Sequence, residues 1–303
     1  MPKIAFLFPG QGAQTVGMGQ QLMAECPAAK NLFEQANDIL GYDLTSICLS
    51  GPVEELNSTV HSQPALFVCS LAAVEKIKQD QPELIEQCQA AAGLSLGEYT
   101  AMVFTGALDF ETGLKVVQRR GQAMQEASDM VASGMVSILG MDLADVQSLC
   151  VEARGDQQIL QVANHLCPGN IAISGHKECC ERAAELAPER GAMKAIPLSV
   201  SGAFHTELMR SAVSQLEDAL GGAEIKAPSI PVISNVDAKS HNDPSELKQI
   251  LVSQVCSPVL WENSMQSLLD EGFDQFYEVG PGKVLKGLLK RMARKIPCES
   301  VLA

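Results

Sequence analysis

Ala90-Ala91-Ala92-Gly93-Leu94-Ser95-Leu96-Gly97-Glu98-Tyr99-Thr100-Ala101-Met102-Val103 is the stretch that decides the fold. Small apolar residues suited to a buried strand run into a serine framed by two glycines, and helix-like sequence follows. The pattern reads as strand, sharp turn and helix, with the serine at the apex. Glycines two residues to either side let the backbone bend tightly enough to hold the hydroxyl out at a helix N-terminus. Backbone N–H groups there can face a developing oxyanion. The plainer alternative is a serine that caps a helix after a glycine turn.

Working outward, a strand over 4–8 leads into the loop Pro9-Gly10-Gln11-Gly12, with helices from there to about residue 85. Helix–strand alternation of this kind predicts a parallel sheet with crossover helices. An amphipathic helix from 110 to about 127 carries Arg119 and Arg120. The pattern then changes to strand 134–140, helix 142–153, strand 158–164, strand 171–175, helix 177–188 and strand 192–198. That β-α-β-β-α-β order is the ferredoxin-like unit, and at about 70 residues it is self-contained enough to be an insertion. The expected division is therefore a large α/β subdomain from 1–127 and 200–303, with an inserted subdomain at 128–199. Beyond residue 200 we expect a strand at 230–234, helices near 244–256 and 261–271, a strand at 273–279, and a last helix after Gly280-Pro281-Gly282.

Composition narrows the function. The formal charge of −14 argues against general nucleic-acid binding. No apolar run approaches a membrane span of roughly 18 residues, and the opening apolar stretch is too short for a signal peptide. A cytoplasmic protein is expected. Ten scattered cysteines with no metal-ligand spacing read as reduced thiols and give no metal site. Cys167, beside Pro168 and Gly169, is the one that could be reactive instead.

A serine nucleophile needs a base, and there are five histidines. His61 lies in a polar turn before Gln63-Pro64, His176 precedes a helix, and His241 sits in a loop that looks solvated. His165 and His205 fall at strand or loop ends where a cleft can form. His205 follows the glycine-containing stretch Val200-Ser201-Gly202-Ala203-Phe204 and opens a helix, which favours it.

Seven motifs occur in one order: Phe8-Pro9-Gly10-Gln11-Gly12-Ala13-Gln14, Gly93-Leu94-Ser95-Leu96-Gly97-Glu98-Tyr99, Arg120-Gly121-Gln122-Ala123-Met124-Gln125, Ala163-Asn164 with Pro168-Gly169, Gly202-Ala203-Phe204-His205, Ser234-Asn235-Val236, and Glu278-Val279-Gly280-Pro281-Gly282-Lys283. In these the chain resembles the malonyl-CoA:acyl carrier protein transacylases of bacterial-type fatty acid synthesis, and the motifs span nearly its whole length. The resemblance implies an α/β-hydrolase-like large subdomain with a short parallel sheet and an inserted ferredoxin-like small subdomain. It implies Ser95 as nucleophile, His205 as proton shuttle, and the backbone N–H groups of Gln11 and Leu96 as the oxyanion hole. Gln254 would orient His205 through its backbone carbonyl, with Asn235 in support. Arg120 would bind the free malonyl carboxylate, while Phe204 and Asn164 shape the pocket. The substrate would be a coenzyme A thioester, malonyl-CoA, with no permanently bound cofactor, and the acceptor an acyl carrier protein.

Two positions depart from the resemblance. Leu94 stands where many relatives have histidine, and Leu166 where many have asparagine, so the polar roles of those residues are not carried over. Six cations between Lys283 and Lys295, without one acid, suggest a docking face for an acidic carrier protein. Lys286, Lys290 and Arg291 are its centre, Lys194 is a second candidate, and spacing from Lys283 to Arg294 predicts one helical face. Cations that merely complement a helix dipole are the plain alternative. A serine thioesterase, a catalytically silent docking module, and a polyketide-pathway malonyltransferase acting in trans are the competing functions. Nothing in the sequence demands more than a monomer, a membrane or a nucleic acid.

Overall fold

Ten strands organise the described residues, 2–301, of the computed structural model. In chain order they are β1 (Ile4–Phe8), β2 (Cys88–Gly93), β3 (Ser133–Leu139), β4 (Leu160–Cys167), β5 (Asn170–His176), β6 (Lys194–Pro197), β7 (Val232–Ile233), β8 (Val259–Leu260), β9 (Gln275–Val279) and β10 (Cys298–Val301). They form two five-stranded sheets, ordered β10-β9-β1-β2-β7 and β6-β3-β5-β4-β8.

Every pairing in the first sheet is parallel. Its centre, β1, is buried along its whole length, because helices cover both faces of a parallel sheet. Register then places the loops. Phe8 pairs with Gly93, Ala92 with Ile233, and Leu7 with Glu278. The chain therefore leaves β1, β2, β7 and β9 on one edge, carrying Gln11, Ser95, Asn235 and Gly280 to the same place. Such a carboxyl edge is where open α/β sheets gather their functional loops.

In the second sheet β6, β3, β5 and β4 are antiparallel neighbours, the ferredoxin-like order expected from the sequence. Helices Leu143–Ala153 and Lys177–Leu186 share one apolar cluster with β3, β4 and β5. The fifth strand was not expected. β8 arrives from the returning chain and pairs parallel with β4, Val259 against Asn164. Trp261 follows it with no exposure and seals the seam.

Other elements differ from expectation in length. The strand expected to stop at 164 runs on to Cys167, and the helix expected to end near 127 continues to Met130. Residues 59–80 form a single helix that keeps Pro64 inside it, where the sequence suggested a turn. That helix is almost wholly buried and packs on helix Phe110–Met130. Gly121 lets them approach, since a Cβ there would lie 2.8 Å from the Thr59 carbonyl oxygen. No described helix is long and apolar enough to cross a membrane.

The glycines around Ser95 are required for a similar reason. A Cβ on Gly93 would strike the Gly97 carbonyl, and one on Gly97 the Phe8 carbonyl, backbone against backbone. Neither can give way. Gly97→Ala should therefore destabilise the fold by more than about 2 kcal/mol, read as a lowered denaturation midpoint. An unchanged midpoint would show the turn to be looser than these contacts require.

Candidate active site

Ser95 sits at the tip of the β2 turn with φ 51° and ψ −97°, a conformation that costs energy in a non-glycine residue. A side chain from another loop opposes that cost. Asn235, delivered by the loop after β7, accepts the Ser95 N–H at 2.6 Å through Oδ1 and donates from Nδ2 to the Gly93 carbonyl at 2.7 Å. Helix Leu96–Phe104 begins immediately afterwards, yet the Ser95 hydroxyl makes no capping bond to it. The capping alternative is thereby excluded: the hydroxyl is turned to other partners.

One partner is His205, whose Nε2 lies 2.9 Å from Ser95 Oγ. Its Nδ1 lies 2.9 Å from the backbone carbonyl of Gln254. A carbonyl only accepts, so Nδ1 carries the hydrogen and Nε2 is left as acceptor for the serine proton. His205 also has positive φ, 61°. It stands in the turn before the short 3-10 helix Glu207–Met209, two residues earlier than a helix start. Burial, reinforced by the Arg120 guanidinium, holds its pKa down to about 4, so the imidazole is neutral. No carboxylate bonds it among the described residues.

The second partner is Arg120, 1 % exposed. Its Nη2 donates to Ser95 Oγ at 2.9 Å and to Gln254 Oε1 at 2.8 Å, and its Nη1 donates to Gln63 Oε1 at 2.7 Å. Nε has no partner among the described residues. The Tyr99 ring lies 5.2 Å away as a cation–π neighbour. Arg119, on the same helix, pairs with Gln122 and Glu126 at the surface.

These groups face a cavity of about 240 Å³ whose lining includes Gln11, Ser95, Arg120, Asn164, Phe204 and His205. Leu94, Leu166 and Val284 complete its apolar side. Neither the Gln11 nor the Leu96 backbone N–H is bound to a protein acceptor among the described hydrogen bonds. A neutral base, a positioned hydroxyl, free amides and an enclosed cation form a constellation suited to acyl transfer.

Two residues of the site were not singled out from sequence. Gln63, before Pro64, is buried and holds Arg120. Glu98, inside the serine motif itself, is 3 % exposed and accepts from Gln254 Nε2 at 2.6 Å and from the Asn235 N–H at 3.2 Å. Both sit on helix sequence where a polar residue reads as solvent-facing.

The other candidates fall away from the centre. His165 lies on β4 and lines a separate groove. His61 bonds Ser58 within its helix, and His176 meets Ile159. His241, expected in solvent, is tucked between Asp237 and Glu246. All ten cysteines are free, and burial pushes the Cys167 thiol up, against a reactive role. No metal-binding cluster occurs among the described residues.

The cationic face needs correction. The last helix spans Val284–Met292, so Lys283 precedes it and Arg294 follows it. Only Lys286, Lys290 and Arg291 are helical, with Lys290 and Arg291 exposed and Lys286 half-buried. Lys194 is exposed on β6. The helix starts beside the cavity, where the buried Glu278 carboxylate accepts the N–H groups of Leu285 and Lys286.

Comparison with known proteins gives the same picture. The acyl transferase domain family matches residues 5–301. The malonyl CoA-acyl carrier protein transacylase of Bacillus subtilis is 44 % identical over 303 residues, covering 99 % of this chain and 94 % of that protein. A crystal structure of an acyl carrier protein S-malonyltransferase from Vibrio cholerae superposes with TM-score 0.93 at 39 % identity, covering 99 % and 97 % of the two chains. A malonyl-transacylase solved with a type II PKS acyl-carrier protein superposes with TM-score 0.93 at 36 % identity, covering 98 % and 94 %. With that similarity running from end to end, over the serine turn, the histidine loop and the arginine helix alike, the chain belongs to the malonyl-CoA–acyl carrier protein transacylases of the acyl transferase domain family.

Proposed function

We propose that the protein moves a malonyl group from malonyl-CoA to the phosphopantetheine thiol of an acyl carrier protein through a malonyl ester on Ser95, supplying fatty acid synthesis. The observation that carries this reading is the convergence on one hydroxyl: His205 Nε2 and Arg120 Nη2 both stand 2.9 Å from Ser95 Oγ.

In the first half-reaction His205 takes the serine proton as Oγ attacks the thioester carbonyl, and returns it to the departing coenzyme A thiol. The carrier thiol then attacks the ester, with the same imidazole shuttling its proton in reverse. A backbone carbonyl suffices to orient a base that handles one proton in each direction. The tetrahedral oxyanion rests between the N–H groups of Gln11 and Leu96, the second of these at a helix N-terminus. Losing one such donor costs on the order of 10²–10³ in rate.

Arg120 selects the acyl group. The malonyl carboxylate takes over the donor now given to Ser95 and reaches the unpartnered Nε, a charge-assisted pair in a site shielded from water. Phe204 and Asn164 limit the space around it. Lys286, Lys290 and Arg291, on the helix whose first residue Val284 lines the cavity, with Lys194 on β6 as a second candidate, would steer the acidic carrier protein. We read the protein as a monomer that works without a resident cofactor. We read 1–127 with 200–303 as the catalytic subdomain and 128–199 as the insertion. A thioesterase reading is weaker, since a buried arginine on the nucleophile has no use in hydrolysis of neutral esters.

Intact-mass analysis after mixing with malonyl-CoA should show a malonyl adduct on Ser95 that passes to a carrier thiol. Rapid release of free malonate, or no adduct, would contradict the reading. Arg120→Ala should lower malonyl loading by at least about 10² while sparing acetyl loading.

The pH dependence follows from His205. A pKa depressed to about 4 leaves the base form in place above that value, so acetyl loading should stay flat through pH 6.5 and fall only toward 4. In Arg120→Ala the limb should move upward, because the cation that helps to depress it is gone. An inflection near 6.5 in the unaltered protein would refute this.

A further inference from the structure

Arg120 is a buried cation that no carboxylate touches among the described residues. Its counter-charge stands one amide away. Gln254 Oε1 accepts from Arg120 Nη2 at 2.8 Å, while Nε2 of the same amide donates to Glu98 Oε2 at 2.6 Å. The amide dipole thus turns its oxygen to the cation and its N–H to the anion. Glu98 Oε2 also accepts the Asn235 N–H, and the Ser234 hydroxyl faces the same carboxylate. Every neutral neighbour of Glu98 is a donor, which suits the ionised form.

We propose that Glu98 is the standing counter-charge of Arg120 and that, acting through the Gln254 amide, it limits how tightly the site holds an acyl group bearing a free carboxylate. This rests on the reading of Arg120 as the malonyl anchor. A direct ion pair would occupy the guanidinium and shut the substrate out. At one amide's remove the anion still stabilises the empty site, yet leaves Nε and the serine-facing hydrogen of Nη2 for a ligand. Once malonyl is bound, two anions share one cation. Their repulsion keeps the malonyl ester from settling into an inert ion pair. For unit charges on the order of 10 Å apart at an effective dielectric near 20, the effect on binding is on the order of tenfold.

Two charged or titratable groups face Glu98: Arg120 from helix Phe110–Met130, and Tyr99 beside it on its own helix. Ser234, Asn235 and Gln254, from the other packed elements, are neutral. Burial raises the Glu98 pKa to about 7, so the carboxyl is ionised above that pH and neutral below it.

The test measures KM for serine loading by malonyl-CoA and by acetyl-CoA in the unaltered protein, in Glu98→Gln and in Arg120→Ala. Glu98→Gln keeps an acceptor oxygen for Gln254 and Asn235 and removes the charge. Malonyl KM should fall by roughly three- to tenfold, with acetyl KM unmoved. A malonyl KM that stays or rises, or an equal change for both acyl groups, overturns the proposal. A second measurement needs no variant. Lowering the pH of the unaltered protein from about 8.5 to about 6 should lower malonyl KM relative to acetyl KM, since the substrate carboxylate itself titrates far below that window. A ratio that stays flat also overturns it. Malonyl preference that survives Arg120→Ala would defeat the anchor reading. Preference lost there, with malonyl KM unmoved by Glu98→Gln and by pH, would defeat the counter-charge alone.

Discussion

A guanidinium taken almost wholly out of water, with no carboxylate in contact, is the constraint on which the rest of the centre depends. Burying such a charge costs several kcal/mol unless its donors are satisfied. Here Nη1 and Nη2 are met by the amides of Gln63 and Gln254 and the Ser95 hydroxyl, with the Tyr99 ring alongside, and Nε alone is left without a partner among the described residues. Neutral acceptors hold the cation in place without discharging it, and so keep it available to an anionic ligand. The same charge lowers the His205 pKa, so one residue bears on both the choice of acyl group and the state of the base.

The fold supplies that arrangement from separate parts of the chain. Adjacent parallel strands bring Gln11, Ser95 and Asn235 to one edge by register alone. Gln254 stands just before β8, the short strand that clips the returning chain to the second sheet beside Asn164. Its backbone carbonyl fixes the His205 tautomer while its side chain joins Arg120 to Glu98 and donates to the Ser95 carbonyl.

The serine turn was legible because its code is local: backbone carbonyls of Gly97 and Phe8 leave no room for a Cβ at Gly93 or Gly97, and this shows directly as glycine. The ferredoxin-like order was legible from the succession of its elements, β-α-β-β-α-β, rather than from any one strand. β8 was not, because two residues carry no period. Pro64 suggested a turn, yet tertiary packing kept its helix intact. Glu98 stands within the serine motif, yet its role is not legible there, since its partner Gln254 lies 156 residues away. The cluster of cations was plain as composition, but where its helix stops, at Met292, was not.

The most direct measurement is a crystal structure of the malonyl ester on Ser95, trapped in the absence of a carrier thiol. The malonyl carboxylate should lie within hydrogen-bond distance of Arg120, with Gln63 and Gln254 still on the guanidinium and the ester oxygen at the Gln11 and Leu96 N–H groups. A carboxylate turned toward solvent, with Arg120 still directed at Oγ, would contradict it.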